Sequence, residues 1–194
     1  MWKVLLQSIV SPLHVFRREG DKGKEVASIV TVLSTAVLGT VLLPIAYYLA
    51  YRNRYELTLD VGGMLLALCV SVLSWIAVCL LFWTLSKAFH NGLSFRQTAS
   101  KWGLSYVPNF LCVLLYGFLK VVPDLKISSG FAAYLVSAMF ILLLVWKVIY
   151  YFMFLRFVMD TSLKEFLLTV AASAIVFSAL IWAGASAGIQ VPFI

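Results

Sequence analysis

The stretch VGGMLLALCVSVLSWIAVCLLFWTLS, residues 61–86, contains no charged side chain. The hydrocarbon core of a bilayer is about 30 Å thick, and an α-helix needs about 20 apolar residues to cross it. This stretch is therefore long enough and apolar enough to be a transmembrane helix. Four other stretches have the same character, and the predicted spans are 26–51, 61–86, 102–122, 131–155 and 163–189.

The composition of the whole chain supports a membrane protein. Of its 194 residues, 63% are hydrophobic and only 12% are charged, and the mean hydropathy is +1.00. A soluble domain has about twice that share of charged residues. We therefore predict an all-α fold: a polytopic membrane protein formed by a bundle of five transmembrane helices with a short N-terminal interfacial helix. The predicted domains are a cytoplasmic amphipathic segment, 1–25, and the five-helix domain, 26–194.

The distribution of basic residues predicts the orientation of the chain. Ten Lys and Arg residues lie on the N-terminal side of the predicted spans, and four lie on the opposite side. Cytoplasmic loops carry the excess of Lys and Arg. We expect a multi-pass protein of the cell membrane with its N-terminus in the cytoplasm and its C-terminus outside. The net charge of +7 then reflects basic loops that face an anionic leaflet, and we expect no binding of nucleic acid.

The N-terminal segment has apolar residues at steps of three and four, a pattern typical of a helix lying in the membrane interface. These residues are Trp2, Leu5, Leu6, Ile9, Leu13 and Phe16. Pro12 would break a continuous helix, so two short pieces that meet at Ser11-Pro12 are expected. A membrane-resting anchor is the favoured interpretation, and a partner-binding helix is the alternative.

Two sites have the sequence of a helix capping box, in which Ser is followed three residues later by Gln or Glu. Ser94 and Gln97 predict a helix that begins at Phe95, and Ser162 and Glu165 predict the start of the fifth span. The surrounding segments, FHNGLSFRQ at 89–97 and FVMDTSLKE at 157–165, align without gaps at an offset of 68 residues. This alignment predicts either a repeat of two parallel hairpins or only shared capping chemistry.

Charged residues and prolines supply the candidate functional positions. Lys147 is the one charge well inside an apolar stretch; either its ammonium snorkels to the cytoplasmic interface, or it binds a lipid headgroup or another anion. Pro44 and Pro108 are expected to kink the first and third spans. The candidate lipid- or partner-binding face consists of Arg17, Arg18, Lys22, Lys24, Arg96, Lys101, Arg156 and Lys164.

The sequence contains no recognisable catalytic or metal-binding motif. It has no nucleophile elbow, phosphate loop or metal-ligand spacing, and His14 and His90 stand alone. All three cysteines lie in apolar runs and are interpreted as packing residues. We therefore expect no enzyme activity, no cofactor and no metal.

The chain resembles the Yip family of Ypt/Rab-interacting membrane proteins. The resemblance rests on the five spans with short loops, on Ser11-Pro12 followed by Phe16, on Asn91-Gly92-Leu93-Ser94-Phe95-Arg96-Gln97 and on Gly103-Leu104-Ser105-Tyr106-Val107-Pro108. The Asp-Leu-Tyr-Gly-Pro motif and the long N-terminal region of the eukaryotic branch are both missing. The resemblance thus implies a prokaryotic-type member, for which Rab binding is not expected.

These observations predict a non-enzymatic membrane protein that organises lipid or recruits partners through its basic cytoplasmic face. Its expected partners are anionic lipid headgroups, with other proteins or a second copy as further possibilities. The alternative is a small permease or transporter subunit with its pathway near the kinked spans. A polar cavity that reaches the middle of the membrane would favour the alternative, and a dry interior of small residues would favour the first function.

Overall fold

The computed structural model of the protein describes residue 16 and residues 22–52, 57–121 and 130–186, and these residues contain helices and no strands. The helices are α1 (Lys22–Val37), α2 (Leu43–Tyr51), α3 (Val61–Ala88), α4 (Phe95–Leu104), α5 (Val107–Val121), α6 (Gly130–Met153) and α7 (Leu163–Ser186). Short π-helical turns at Leu38–Leu42 and Phe154–Val158 follow α1 and α6. The fold is that of an all-α polytopic membrane protein, as predicted.

Four helical runs are long and apolar enough to cross a membrane, and the number is five if the bent pair formed by α4 and α5 is one span. The four runs are Lys24–Tyr51, Val61–Ala88, Gly130–Val158 and Leu163–Ser186. They agree with four of the predicted spans to within a few residues at each described end. The predicted interfacial helix lies almost wholly outside the described residues, and the division of the chain at residue 26 stays a prediction.

The first span is continuous through Pro44 because the helix widens just before it. A proline ring clashes with the carbonyl four residues earlier, which here belongs to Thr40. The π-helical turn Leu38–Leu42 contains that residue and ends two residues before Pro44. The Thr40 hydroxyl donates a hydrogen bond to the Ala36 carbonyl at 2.8 Å. The expected distortion at Pro44 is thus present as a π-helical turn.

The third span is interrupted. α4 ends at Leu104, α5 begins at Val107, and their axes differ by 40°. Pro108 is the second residue of α5, a position where its missing N–H needs no partner. The span was predicted to begin at Trp102, but the helix begins seven residues earlier and Trp102 is buried in the last turn of α4. The predicted kink at Pro108 is therefore a break between two helices.

The helices pack around an aromatic core at one end of the bundle. α1 packs against α4, α5 and α3, while α3 also contacts α7, and α6 contacts α5. The core contains Phe82, Trp102, Tyr150 and Phe154, all almost fully buried. Phe16 is also buried, and its ring meets the ring of Tyr150 edge to face. The N-terminal segment is thereby joined to the bundle at this residue.

Close packing of α4 against α1 depends on a glycine. A Cβ atom on Gly103 would lie 1.8 Å from the Ser28 hydroxyl oxygen. With no side chain at this position, the Ser28 hydroxyl can donate a hydrogen bond to the Ala99 carbonyl at 3.1 Å. One hydrogen bond and one close backbone approach therefore fix α4 on the first span.

Candidate functional site

The loops that precede α4 and α7 lie together at one end of the bundle, which we call the near end. The Asn91 side-chain amide donates a hydrogen bond to the Met159 carbonyl, so the two loops are in direct contact. These two residues are 68 positions apart, the same offset as in the sequence alignment. The contact brings the two aligned segments together, and the choice between a repeat and shared capping chemistry stays open.

The two loops share one left-handed position, although the first loop has a second one, His90 with φ of 61°, whose aligned partner Val158 lies in a π-helical turn. Gly92 and Asp160, again 68 residues apart, both have left-handed backbone angles, with φ of 66° and 46°. Glycine adopts this region freely, and Asp is among the few other residues that do so. A left-handed residue reverses the chain in each loop, two residues before the serine that starts the next helix.

Both predicted capping boxes are present. The Ser94 hydroxyl accepts from the Gln97 amide at 3.2 Å, and the Gln97 side chain accepts in return from the Ser94 amide at 3.0 Å. At the second site the Glu165 carboxylate accepts from the Ser162 amide at 2.7 Å, while the reverse bond is long at 3.5 Å. α4 and α7 therefore begin at Phe95 and Leu163, as the sequence indicates.

The basic residues predicted to share one face have different environments. Arg96 is exposed and forms an ion pair with Glu25 at 2.5 Å. Arg156 donates to the Thr161 carbonyl, and Lys164 is exposed in the first turn of α7. Lys101 is half-buried, and Lys24 is 5% exposed, so Lys24 is not part of an exposed face. Arg17, Arg18 and the side chain of Lys22 lie outside the part of the chain that the structure describes.

Lys147 contacts the break in the third span. Its ammonium donates to the carbonyl and hydroxyl oxygens of Ser105, at 3.2 and 3.4 Å. It also lies 4.9 Å from the centre of the Trp102 ring and 4.4 Å from that of Tyr106. Ser105 lies about 15 Å along the helix from the start of α4. The ammonium is therefore bound at the interrupted helix, and its depth relative to the membrane interface stays a prediction.

The Lys147 site has a simple electrostatic basis. The C-terminal end of a helix carries a partial negative charge, and its last carbonyls lack partners within the helix. The ammonium supplies one such partner at the end of α4, and the two aromatic faces add cation–π attraction. The Trp102 indole N–H has no hydrogen-bond partner among the described residues, although it is buried. The site is thus a polar cluster within an apolar core.

A second feature lies at the opposite end of the bundle, the far end, where α2 and α5 finish and α3 begins. A cavity of about 1240 Å³ is bounded by the first span, α3, α5 and Phe140 of α6. It is lined by both distorted positions of the first span, Thr40 and Pro44, and by Cys112 at its inner end. The described residues contain no group of three or more His, Cys, Asp or Glu side chains that could hold a metal ion.

The sequence model of the Yip1 domain matches residues 6–184. The chain belongs to the Yip1-domain family. Comparison with curated proteins and with solved structures gives no match. The Yip1 domain begins at residue 6, so it includes much of the N-terminal segment as well as the helices. Members of the family are in general non-enzymatic membrane proteins.

The structure gives the residues that carried the family resemblance a physical role in this Yip1 domain. Phe16 fills the core beside Tyr150, and the segment 91–97 provides the loop contact, the left-handed turn and the capping box. The segment 103–108 forms the close packing at Gly103 and the break at Ser105. These roles are structural, which explains why the motifs consist of turn, cap and small residues.

Sequence reasoning missed three features of the site. It placed Phe16 on a membrane-facing surface, it treated Ser105 as part of a continuous span, and it did not find the far-end cavity. The interruption had one detectable signal, because proline is favoured in the first turn of a helix and Pro108 therefore indicates a helix start close to Val107. The cavity had none, since its walls come from helices far apart in the sequence.

Proposed function

We propose that this Yip1-domain protein is a non-enzymatic protein of the cell membrane, with its near end in the cytoplasm, that gathers anionic lipids or acidic partners there. The observation that carries the proposal is the contact between Asn91 and Met159, because it makes the starts of α4 and α7 neighbours. Each helix start carries a partial positive charge, which attracts phosphate groups. Arg96 and Lys164 follow the two capping serines and add a full charge to each.

The local balance of charges sets the expected strength of this attraction. A basic residue near an anionic leaflet contributes about 1 kcal/mol. Glu25 reduces the contribution of Arg96 because the two side chains form an ion pair. The pair is exposed, so it is weak and exchanges with solvent. Lys164 also has Glu165 as its neighbour in the first turn of α7, where that carboxylate is engaged by Ser162.

The test measures lipid enrichment around the reconstituted protein. The protein is placed in vesicles that contain 10% fluorescent phosphatidylglycerol, and energy transfer from the tryptophans reports the local concentration of labelled lipid. We expect the double variant Arg96→Gln/Lys164→Gln to lower the enrichment several-fold, whereas Glu25→Gln should raise it. The charge-matched control is Arg52→Gln/Arg54→Gln, which removes two bases on the predicted outer side.

The protein is reconstituted in one orientation, with anionic lipid only in the leaflet at the near end. Under these conditions the proposal requires Arg96→Gln/Lys164→Gln to lower the lipid enrichment more than Arg52→Gln/Arg54→Gln does. Equal enrichment in the parent and in Arg96→Gln/Lys164→Gln, with both folded, would contradict it. An equal decrease in the control would show that net charge alone matters, and that the near end has no special role.

A second candidate function, a small permease, is favoured by the interrupted third span. Broken helices line substrate sites in many transporters, and here the break binds the Lys147 ammonium. The far-end cavity is lined by Cys112, which belongs to the helix that follows the break. For a permease, Cys112 and an introduced Ser105→Cys should both react with a small hydrophilic thiol reagent in a background without Cys69 and Cys79. If neither cysteine reacts, the gathering of anionic lipids or acidic partners remains the better supported function.

A further inference from the structure

The far-end cavity has the dimensions of one membrane leaflet. Lys120 lies near the end of α5, and Cys112, at the inner end of the cavity, is eight residues before it. At about 1.5 Å per residue this separation corresponds to about 12 Å. Tyr48 and Thr40, on the wall formed by the first span, are also eight residues apart. Half of a hydrocarbon core is about 15 Å, so the cavity extends from the far surface nearly to the middle of the bilayer.

The polarity of the walls changes along this depth. Asp60, Thr58 and Lys120 lie at the mouth of the cavity, together with the ring of Tyr116. The inner walls are formed by side chains such as Leu43, Met64, Ala67 and Val113. A molecule that fills the cavity must therefore be polar at the surface and apolar below, which is the chemistry of a membrane lipid and not of a water-soluble metabolite.

The shape of the cavity is built into the backbone of its walls. The π-helical turn Leu38–Leu42 displaces the first span at Thr40, and π-helical turns are frequent at functional sites. A Cβ atom on Gly117 would lie 2.2 Å from a methyl carbon of Leu43, so α5 approaches the first span closely at this point. The first span and α5 meet at Leu43 and Gly117, and Thr40 and Cys112 line the cavity on its inner side.

The mouth carries one charge of each sign, and both have capacity for a ligand. The Asp60 carboxylate caps α3 through one oxygen, which accepts from the Gly63 amide at 2.9 Å. Among the described contacts, the Lys120 ammonium has only the Tyr116 ring, at 5.6 Å from its centre. A carboxylate can accept hydrogen bonds from a primary ammonium, and a lysine can donate to a phosphate.

We propose that the far-end cavity binds one phospholipid whose headgroup combines a phosphate with a primary ammonium, of the phosphatidylethanolamine type. Lys120 binds the phosphate, Asp60 accepts from the ammonium, and one acyl chain fills the apolar part beside Ala67. This lipid site is separate from the near-end basic face, and its failure would leave the proposed function of that face intact.

The experiment is a lipid titration followed by native mass spectrometry of the protein released from detergent micelles. Three lipids with identical acyl chains are compared: phosphatidylethanolamine, phosphatidylcholine and phosphatidylglycerol. The parent should bind one molecule of the first lipid most tightly. Asp60→Asn keeps a good helix cap, and it should weaken phosphatidylethanolamine about tenfold while leaving phosphatidylcholine, which has no N–H donor, almost unchanged.

Two further variants test the phosphate and acyl-chain contacts. Lys120→Gln should weaken both zwitterionic lipids about tenfold, whereas Arg52→Gln at the same end, outside the cavity lining, should not. Ala67→Phe fills the cavity and should remove the bound lipid, whereas Leu73→Phe, on an exposed part of the same helix, should retain it. Thermal unfolding of each variant checks that the bundle is intact.

Three results would overturn the proposal. The first is unchanged lipid affinity in folded Ala67→Phe, and the second is equal or tighter binding of phosphatidylglycerol by the parent. The third is an Asp60→Asn variant that weakens both zwitterionic lipids alike or neither of them. The expected differences in lipid affinity require the cavity and both charged side chains together. Lipid that attaches non-specifically to the outer surface of the helices would bind all of these variants alike.

Discussion

Replacing Lys147 with Met tests the interrupted span most severely, because the change removes one charge and keeps a long flexible side chain. In the parent, the ammonium donates to Ser105 and lies over the rings of Trp102 and Tyr106. The variant leaves the Ser105 carbonyl at the end of α4 without this partner. A lysine that only snorkelled would have no such role, and its removal would be neutral or favourable.

The magnitude follows from opposing contributions. A hydrogen bond to a charged group is worth about 1.5–3 kcal/mol, and a desolvated cation–π contact adds about 2 kcal/mol. Placing a lysine near the bilayer centre costs about 2.5–3.5 kcal/mol. These terms largely cancel, but the variant also strands a buried carbonyl at a cost of about 1–3 kcal/mol. We therefore expect Lys147→Met to lower the free energy of unfolding by about 1–3 kcal/mol.

The assay is reversible unfolding in bicelles, arranged as a double-mutant cycle between Lys147→Met and Tyr106→Leu. The coupling free energy should be about 1–2 kcal/mol for this buried pair. The matched control is the exposed pair of Lys120 and Tyr116, with their separation of 5.6 Å, for which the same cycle should give at most about 0.5–1 kcal/mol. A stable Lys147→Met variant with no coupling to Tyr106 would refute the placement of the ammonium.

The helix starts and tight contacts give three smaller predictions, each measured by the same unfolding assay. Ser94→Ala should cost about 1 kcal/mol, and Ser162→Ala should cost less, about 0.5 kcal/mol, because its bond to the following amide is longer; the reverse order would contradict the capping geometry. Gly103→Ala should cost about 1–3 kcal/mol by displacing the Ser28 hydroxyl, and Ser28→Ala should relieve part of that cost. Gly92→Ala should cost about 1 kcal/mol through its left-handed backbone alone, since open space surrounds the position; a neutral result would mean that the loop relaxes.

The features that were predictable from the sequence are those that depend on neighbours in the chain. The Ser94 and Ser162 caps were identified correctly because a capping box needs only four consecutive residues. The membrane-spanning helices were identified because hydrophobic length alone decides whether a segment crosses a bilayer. Distortions at Pro44 and Pro108 were also expected from local proline geometry, although the second is a break between two helices and not the predicted kink.

The features that were not predictable depend on contacts between distant segments. An amphipathic pattern cannot show whether Phe16 faces lipid or fills a core beside Tyr150, since both environments are apolar. The position of Lys147 in its span allowed snorkelling, and only the fold places Ser105 within reach of its ammonium. Lys24 was assigned to the lipid- or partner-binding face by charge alone, although the packing of α1 buries it.

The most direct test of the account is the side of the membrane on which the near end lies, since the account places the basic face at the anionic cytoplasmic leaflet. Single cysteines at Asn91 and Asn53, in a background without Cys69, Cys79 and Cys112, are treated in intact cells with a membrane-impermeant thiol reagent. The account predicts labelling at residue 53, and labelling at residue 91 only after the membrane is permeabilised. Labelling at residue 91 and not at residue 53 in intact cells would contradict it.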